Sequence, residues 1–147
     1  VPPASWRVHP LAQAVAVITG GIKALIRFTL AEDRWNSGLA SLHQLYHPAI
    51  LRLLYQVVQS APQGGARCIL NAEPPGFADV LPLLLGMGFD GFTQDPTMIL
   101  RSRQIISCCR FDEWEQKAAE LLKISSSEAM AKQLARQSEE TVKIPAG

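Results

Sequence analysis

Apolar side chains along this chain fall into two kinds of run. Short clusters bounded by glycine or polar loops alternate with longer stretches spaced at helical intervals. Ala14–Thr19 (AVAVIT) is rich in β-branched residues and ends at Gly20-Gly21, the form of a strand buried on both faces in a parallel sheet. Arg67–Leu70 (RCIL) and Phe89–Thr93 (FDGFT) read as two further short strands. Ile50, Leu51, Leu53, Leu54, Val57 and Val58 recur near i, i+3, i+4 and i+7. Pro48 opens that stretch, where a missing N–H needs no partner. Pro62 and Gly64-Gly65 stop it, so the spacing predicts an amphipathic helix over roughly 48–60.

Phe77–Leu85 predicts a second helix ending at Gly86-Met87-Gly88, where glycine supplies a left-handed cap. Thr97–Cys108 predicts a third. Asn71–Gly76 (NAEPPG) reads as a loop, Val1–Pro10 as an extended lead-in segment, and Lys23–Ala31 fits helix or loop. Beyond these, Asp112–Lys123 and Glu128–Arg136 are strong helix formers. Ser125-x-x-Glu128 has capping-box spacing, and Ser138–Gly147 is expected to fray. Alternation of strand and helix is the rhythm of a parallel α/β protein. A closed (β/α)8 barrel needs eight strands and about 250 residues, so the chain holds less than half of one.

Composition changes this picture little. Of 147 residues, 48% are hydrophobic and 18% charged, enough apolar surface to bury a core and too much for disorder. With 14 basic against 13 acidic residues the net charge is +1, which gives no footprint for nucleic acid. No apolar run approaches the roughly 20 residues a bilayer requires. Leu11–Leu30 is interrupted by Gln13, Lys23 and Arg27, and Val80–Phe89 is too short. Cys68, Cys108 and Cys109 form neither a disulfide framework nor a C-x-x-C metal spacing. Reduced, mostly buried thiols in a cytoplasmic protein are the expectation. No stretch reads as a signal peptide, and an opening at Val1 rather than Met is expected of a fragment or a processed product. His9, His43 and His47 are scattered and read as structural or surface residues, not a metal set. No phosphate-cradling G-x-x-x-x-G-K-[ST] and no Ser-His-Asp spacing occurs.

Several motifs together resemble one family. Leu25–Asn36 (LIRFTLAEDRWN) is similar to the L-T-Q-Y-T-L-A-x-D-R-x-N stretch of Enzyme I of the bacterial sugar phosphotransferase system. His47–Leu54 (HPAILRLL) resembles the H-P-A-V-L-R-L-I helix start that follows it there. Val80–Phe92 (VLPLLLGMGFDGF) resembles the A-P-L-L-L-G-x-G-x-D-x-F segment, including the proline inside the helix, Pro82. Asp112–Gln133 resembles the family's C-terminal helices, and Val1-Pro2 fits the end of its E-x-P strand. The resemblance covers nearly the whole chain, with motifs in family order at family spacing.

It implies the last three βα units of a phosphoenolpyruvate-binding barrel plus C-terminal helices: a partial barrel over 1–110 and a helical tail of the same domain over 111–147. Related barrels occur in pyruvate phosphate dikinase and phosphoenolpyruvate synthase. In active members a magnesium ion and a set of arginines hold phosphoenolpyruvate at the carboxyl ends of the strands, where such barrels carry their sites. A cysteine acts as general acid on the enolate carbon, and a histidine on another domain takes the phosphoryl group.

The resemblance also shows what has changed. The family's G-T-N-D motif falls on Gly21–Ala24, here Gly-Ile-Lys-Ala. The metal-binding aspartate becomes Ala24, whose methyl group cannot ligate magnesium. The asparagine becomes Lys23, an ammonium that either replaces some of the metal's charge or is simply solvated. The M-C-G-E-x-x-G motif falls on Leu70–Gly76 and puts Asn71 where the cysteine stands. An amide has no proton to give at neutral pH. Cys68, three residues earlier on the strand, faces elsewhere. Glu73 and Gly76 match the motif. Arg34, in D-R-x-N, resembles the arginine that grips the phosphate, a role suited to paired, permanently charged donors. The competing reading is a surface ion pair with Asp33 or Glu32. Trp35 and Ser37 replace the neighbouring glycine and glutamate.

The expected function is therefore a degenerate phosphoenolpyruvate-binding-like module, catalytically inactive and acting in assembly or regulation. No catalytic and no metal-ligating residue is assigned. Arg34, Lys23, Glu73 and Asn71 are the candidate ligand-binding residues. The alternative is an active, magnesium-dependent phosphoenolpyruvate-protein phosphotransferase. No cofactor is expected, or magnesium if the alternative holds. The expected partner is a second copy, or a chain that completes the barrel, because the family's barrel is its dimerisation domain and open strand edges need cover. Phosphoenolpyruvate remains a candidate ligand.

Overall fold

The computed structural model describes residues 17–22, 25–26, 45–61, 66–71 and 77–142. They form a mixed α/β, mostly helical arrangement around a small parallel sheet. In chain order the elements are β1 (Val17–Gly21), α1 (Pro48–Ser60), β2 (Arg67–Asn71), α2 (Phe77–Met87) and β3 (Gly91–Thr93). A 3-10 turn (Pro96–Met98), α3 (Ile99–Cys108), α4 (Phe111–Leu121) and α5 (Ser127–Val142) follow.

The strands lie in the order β1-β2-β3 and both pairings are parallel. Parallel neighbours need a crossover, and α1 and α2 stand in the two connections. Cys68 and Leu70 are buried on one face of β2, whereas Arg67 and Asn71 are exposed. Asp90 secures the β2–β3 register from both of its ends. Its Oδ2 accepts from the Cys68 N–H at 2.7 Å, and its own N–H donates to the Cys68 carbonyl at 3.0 Å.

The predicted helix at 48–60 is α1, residue for residue. His47 caps it, its Nδ1 accepting from the Ala49 N–H at 3.2 Å, which gives the helix-start histidine a structural job. The buried stripe is Ile50, Leu51, Leu54 and Val58. In α2 nearly every residue is buried, Pro82 included. A helix apolar all round belongs inside a structure, and α2 packs against α3, α4 and α5. Trp114, Ala118 and Leu121 of α4 and Met130 and Leu134 of α5 complete the core. Arg52 on α1 holds the α4–α5 connection, donating to the carbonyls of Leu122 at 3.1 Å and Ile124 at 3.2 Å. Those are carbonyls that a helix end leaves without partners.

Several boundaries differ from expectation. β1 continues through Gly20-Gly21, which were expected to end it; parallel pairing uses backbone groups alone, so glycine serves. Ala14–Ala16 lie outside the described residues. Asn71 closes β2 and does not open the loop. The α2 helix runs two residues past Leu85, and the expected left-handed glycine after it is Gly88 (φ 100°). Gly86 instead lets α4 approach. A Cβ there would stand 2.2 Å from the Trp114 carbonyl oxygen. The cap of α5 is Ser126, whose Oγ accepts from the Ala129 N–H at 3.4 Å. Glu128 then stands one position too early to close a capping box with it. Finally, α5 persists to Val142 where fraying was expected from Ser138. Buried Met130 and Leu134 anchor its first turns, and glutamates such as Glu139 and Glu140 favour continued helix.

Candidate functional site at the strand ends

Carboxyl ends of parallel strands, where side chains and helix N-termini converge, are the usual ligand end of such a sheet. In this chain the register sets Gly21, Asn71 and Thr93 in one row at that end. All three are exposed. The row therefore presents a backbone approach at Gly21, one amide and one hydroxyl. Both polar side chains can donate and accept hydrogen bonds, and neither carries charge.

Asn71 is the candidate ligand-binding residue that falls among the described residues. Lys23, Arg34 and Glu73 lie outside them, as do Ala24, His9 and His43. Thr93 was not singled out by sequence. Its place opposite Asn71 follows from strand register, which short apolar runs do not encode.

Strand parity separates Cys68 from Asn71. Cys68 is buried on the helix-facing side and its thiol is pushed up by burial first and by the Asp90 carboxylate second. A protonated, buried thiol neither attacks nor ligates readily, so Cys68 does not stand in for an acid at position 71. Cys108 and Cys109, both half-buried, lie on α3 and at its cap; all three cysteines are free. Burial, then the neighbouring Cys108, push the Cys109 thiol up to about 11, with Lys117 opposing.

Magnesium is held through oxygen ligands, usually one or two carboxylates. The strand-end row supplies an amide and a hydroxyl but no carboxylate. Among the described residues no group of three or more His, Cys, Asp or Glu could hold a metal ion. Nor, among those residues, is any helix long and apolar enough to cross a membrane.

Comparison with known proteins gives this geometry its context. Residues 1–111 match the family described as PEP-utilising enzyme, PEP-binding domain, where PEP is phosphoenolpyruvate. The phosphoenolpyruvate-protein phosphotransferase of Listeria monocytogenes is 34% identical over 128 residues, 87% of this chain and 22% of that protein. The protein of the same name from Bacillus subtilis matches equally, at 34% over 128 residues, again 87% and 22%. That of Enterococcus faecalis is 36% identical over 106 residues, 72% of this chain and 18% of its own length. The chain thus spans about a fifth of the length of the curated relatives it matches. On the family match, these identities and the resemblance to Enzyme I, this chain belongs to the PEP-utilising enzymes, through their PEP-binding domain.

Proposed function

We propose that this chain is a phosphoenolpyruvate-binding-like barrel module of the Enzyme I type that no longer catalyses phosphoryl transfer and acts in assembly or regulation. Its three parallel strands are then the last three βα units of a barrel, with α4 and α5 as the tail. The observation that carries the reading is Asn71, exposed at the carboxyl end of β2. The family resemblance requires a proton donor to the enolate carbon at that point, and a carboxamide supplies none. Ala24, in place of the metal aspartate, and Lys23, in place of the asparagine, support the same reading. Groups that act as a unit lose several orders of magnitude in rate when one is removed, and little more when the rest follow.

Phosphoenolpyruvate binding is separable from catalysis. Arg34 is the residue suited to grip a phosphate, and Lys23 and Glu73 stand in the motifs around it. The alternative, an active magnesium-dependent phosphotransferase, rests on Arg34, Glu73 and the names of the relatives.

Calorimetric titration of the chain with phosphoenolpyruvate, with and without magnesium and with Arg34→Ala as control, tests the proposal. Binding that is absent, or present without magnesium dependence, is the expected result. Magnesium-dependent binding lost in Arg34→Ala would restore the enzyme reading.

A further inference from the structure

Cys108 and Cys109 are neighbours in sequence, both half-buried and both free. The strand-end site uses neither. Cys108 is the last residue of α3 and Cys109 is its cap, where the backbone leaves the helix for φ −87°, ψ 138°. The Cys109 N–H donates to the Ile106 carbonyl at 3.1 Å, which pins that cap. Cys109 packs against the edge of the core. Lys117 of α4, its Nζ 4.7 Å from the Trp114 ring centroid, and Cys108 both stand near enough to act on the Cys109 thiol. Two reachable thiols are thus held side by side at one helix end, while the third cysteine, Cys68, is buried in the sheet.

The surroundings select what such a pair can hold. A relaxed disulfide spans Cα atoms about 4.4–6.8 Å apart, whereas consecutive Cα atoms across a trans peptide lie about 3.8 Å apart, so a direct 108–109 disulfide is strained and easily reduced. Structural zinc takes four ligands, and among the described residues no third His, Cys, Asp or Glu joins the pair. Soft cations such as copper(I) bind thiolates, yet burial, then Cys108, hold the Cys109 thiol in its protonated form, up to about 11. The fitting ligand is therefore a thiophilic centre that is satisfied by two sulfurs and brings its own acceptor for the thiol protons. An oxide of trivalent arsenic has both properties.

We propose that Cys108 and Cys109 form a two-thiol site that captures a trivalent arsenical, one arsenic atom bridging both sulfurs. With an organic arsenic oxide, R–As=O, two S–H bonds and the arsenic–oxygen bond break. Two As–S bonds form, and the oxygen leaves with both protons as one water. Arsenic stays trivalent and sulfur stays at the thiol level, so no oxidant or reductant takes part. Once the first As–S bond exists, the neighbouring thiol closes the second at the high effective concentration of an intramolecular partner. A bridging arsenic also sets the sulfurs farther apart than a direct S–S bond does, which relieves the short Cα separation. The site is remote from the strand-end row in sequence and independent of phosphoenolpyruvate binding.

Phenylarsine oxide, added to the folded, reduced chain in the presence of excess 2-mercaptoethanol, tests it by intact mass and by thiol titration after denaturation. One phenylarsenic group per chain is expected, with the titratable thiols falling from three to one and returning when the dithiol 2,3-dimercaptopropanol is added. Tryptic digestion of the unchanged chain should place the adduct on the peptide Gln104–Arg110, which carries both cysteines and no other thiol. Cys108→Ser and Cys109→Ser should each lose the adduct to the monothiol, with far-UV spectra unchanged, and Cys68→Ser should keep it. No adduct on the folded unchanged chain overturns the proposal. So does an adduct that survives in either vicinal variant, maps to another peptide or is lost in a folded Cys68→Ser.

Discussion

Gly86→Ala separates a close helix contact from an ordinary helical glycine by the sign of its effect. Within a helix, replacing glycine by alanine gains about 0.8–1 kcal/mol. Here the new Cβ would lie 2.2 Å from the Trp114 carbonyl oxygen and 2.4 Å from its carbon, both backbone atoms that cannot swing away. Restoring ordinary carbon–oxygen contact, about 3.3 Å or more, means moving α4 off α2 by roughly 1 Å. A gap of that size forfeits roughly a quarter to a half of each dispersion contact across it, at about 0.1–0.2 kcal/mol per full contact. With on the order of twenty to forty atom pairs between Trp114, Ala118 and their neighbours on α2, the loss is about 1–3 kcal/mol. Overpacking in other cores costs about the same or more, and lost complementarity around Trp114 adds to it. Net of the helix gain, a destabilisation of about 0.5–2 kcal/mol is expected, with a Tm lower by roughly 1–8 °C for a chain of this size. Thermal melting by circular dichroism reads it. An unchanged or higher Tm would show that α2 and α4 are not held at this separation and would refute the packing account.

Two further predictions concern groups away from the strand ends. Burial first, then the charge and hydrogen bond of Asp79, push the Tyr46 hydroxyl up to about 12, its O–H donating to Asp79 Oδ2 at 3.2 Å. Its folded pKa lies above the ordinary 10, so the stability it contributes is present below pH 10 and is lost as pH rises toward 12; absorbance at 295 nm should show a tyrosine ionising near pH 12 that Tyr46→Phe removes. Ser126→Ala should cost about 1 kcal/mol by loss of the α5 cap, read as a lower urea midpoint, whereas Ser125→Ala should leave the midpoint in place; the reverse order would restore the capping box at Ser125.

Much of the fold is readable where periodicity and punctuation agree. The Pro48 start and the Pro62–Gly65 stop bracket α1 so tightly that the helix matches its expected bounds. The all-apolar α2 segment needs a fully buried place, and α3, α4 and α5 supply it. What pattern does not carry is tertiary. Gly86 and Gly88 read alike as cap glycines, and the approach of Trp114 to one and the left-handed backbone of the other distinguish them. Spacing to Glu128 favours Ser125 as the α5 cap, yet Ser126 accepts from the Ala129 N–H. At the strand ends, Asn71 was identified through family motifs, and the parity that hides Cys68 is a property of any strand. Thr93 becomes a neighbour of Asn71 through pairing between segments distant in sequence.

The central claim is that no group at position 71 moves a proton to or from the enolate carbon. By microscopic reversibility, a working acid at that point would also exchange the methyl protons of pyruvate. Proton NMR of pyruvate in D2O, with the chain, magnesium and matched protein-free controls, measures this without the phosphoryl-accepting domain. The account predicts that the methyl signal decays at the protein-free rate. Faster decay that requires both the chain and magnesium, and is lost in Arg34→Ala, would contradict it and identify the chain as a catalytic phosphoenolpyruvate domain.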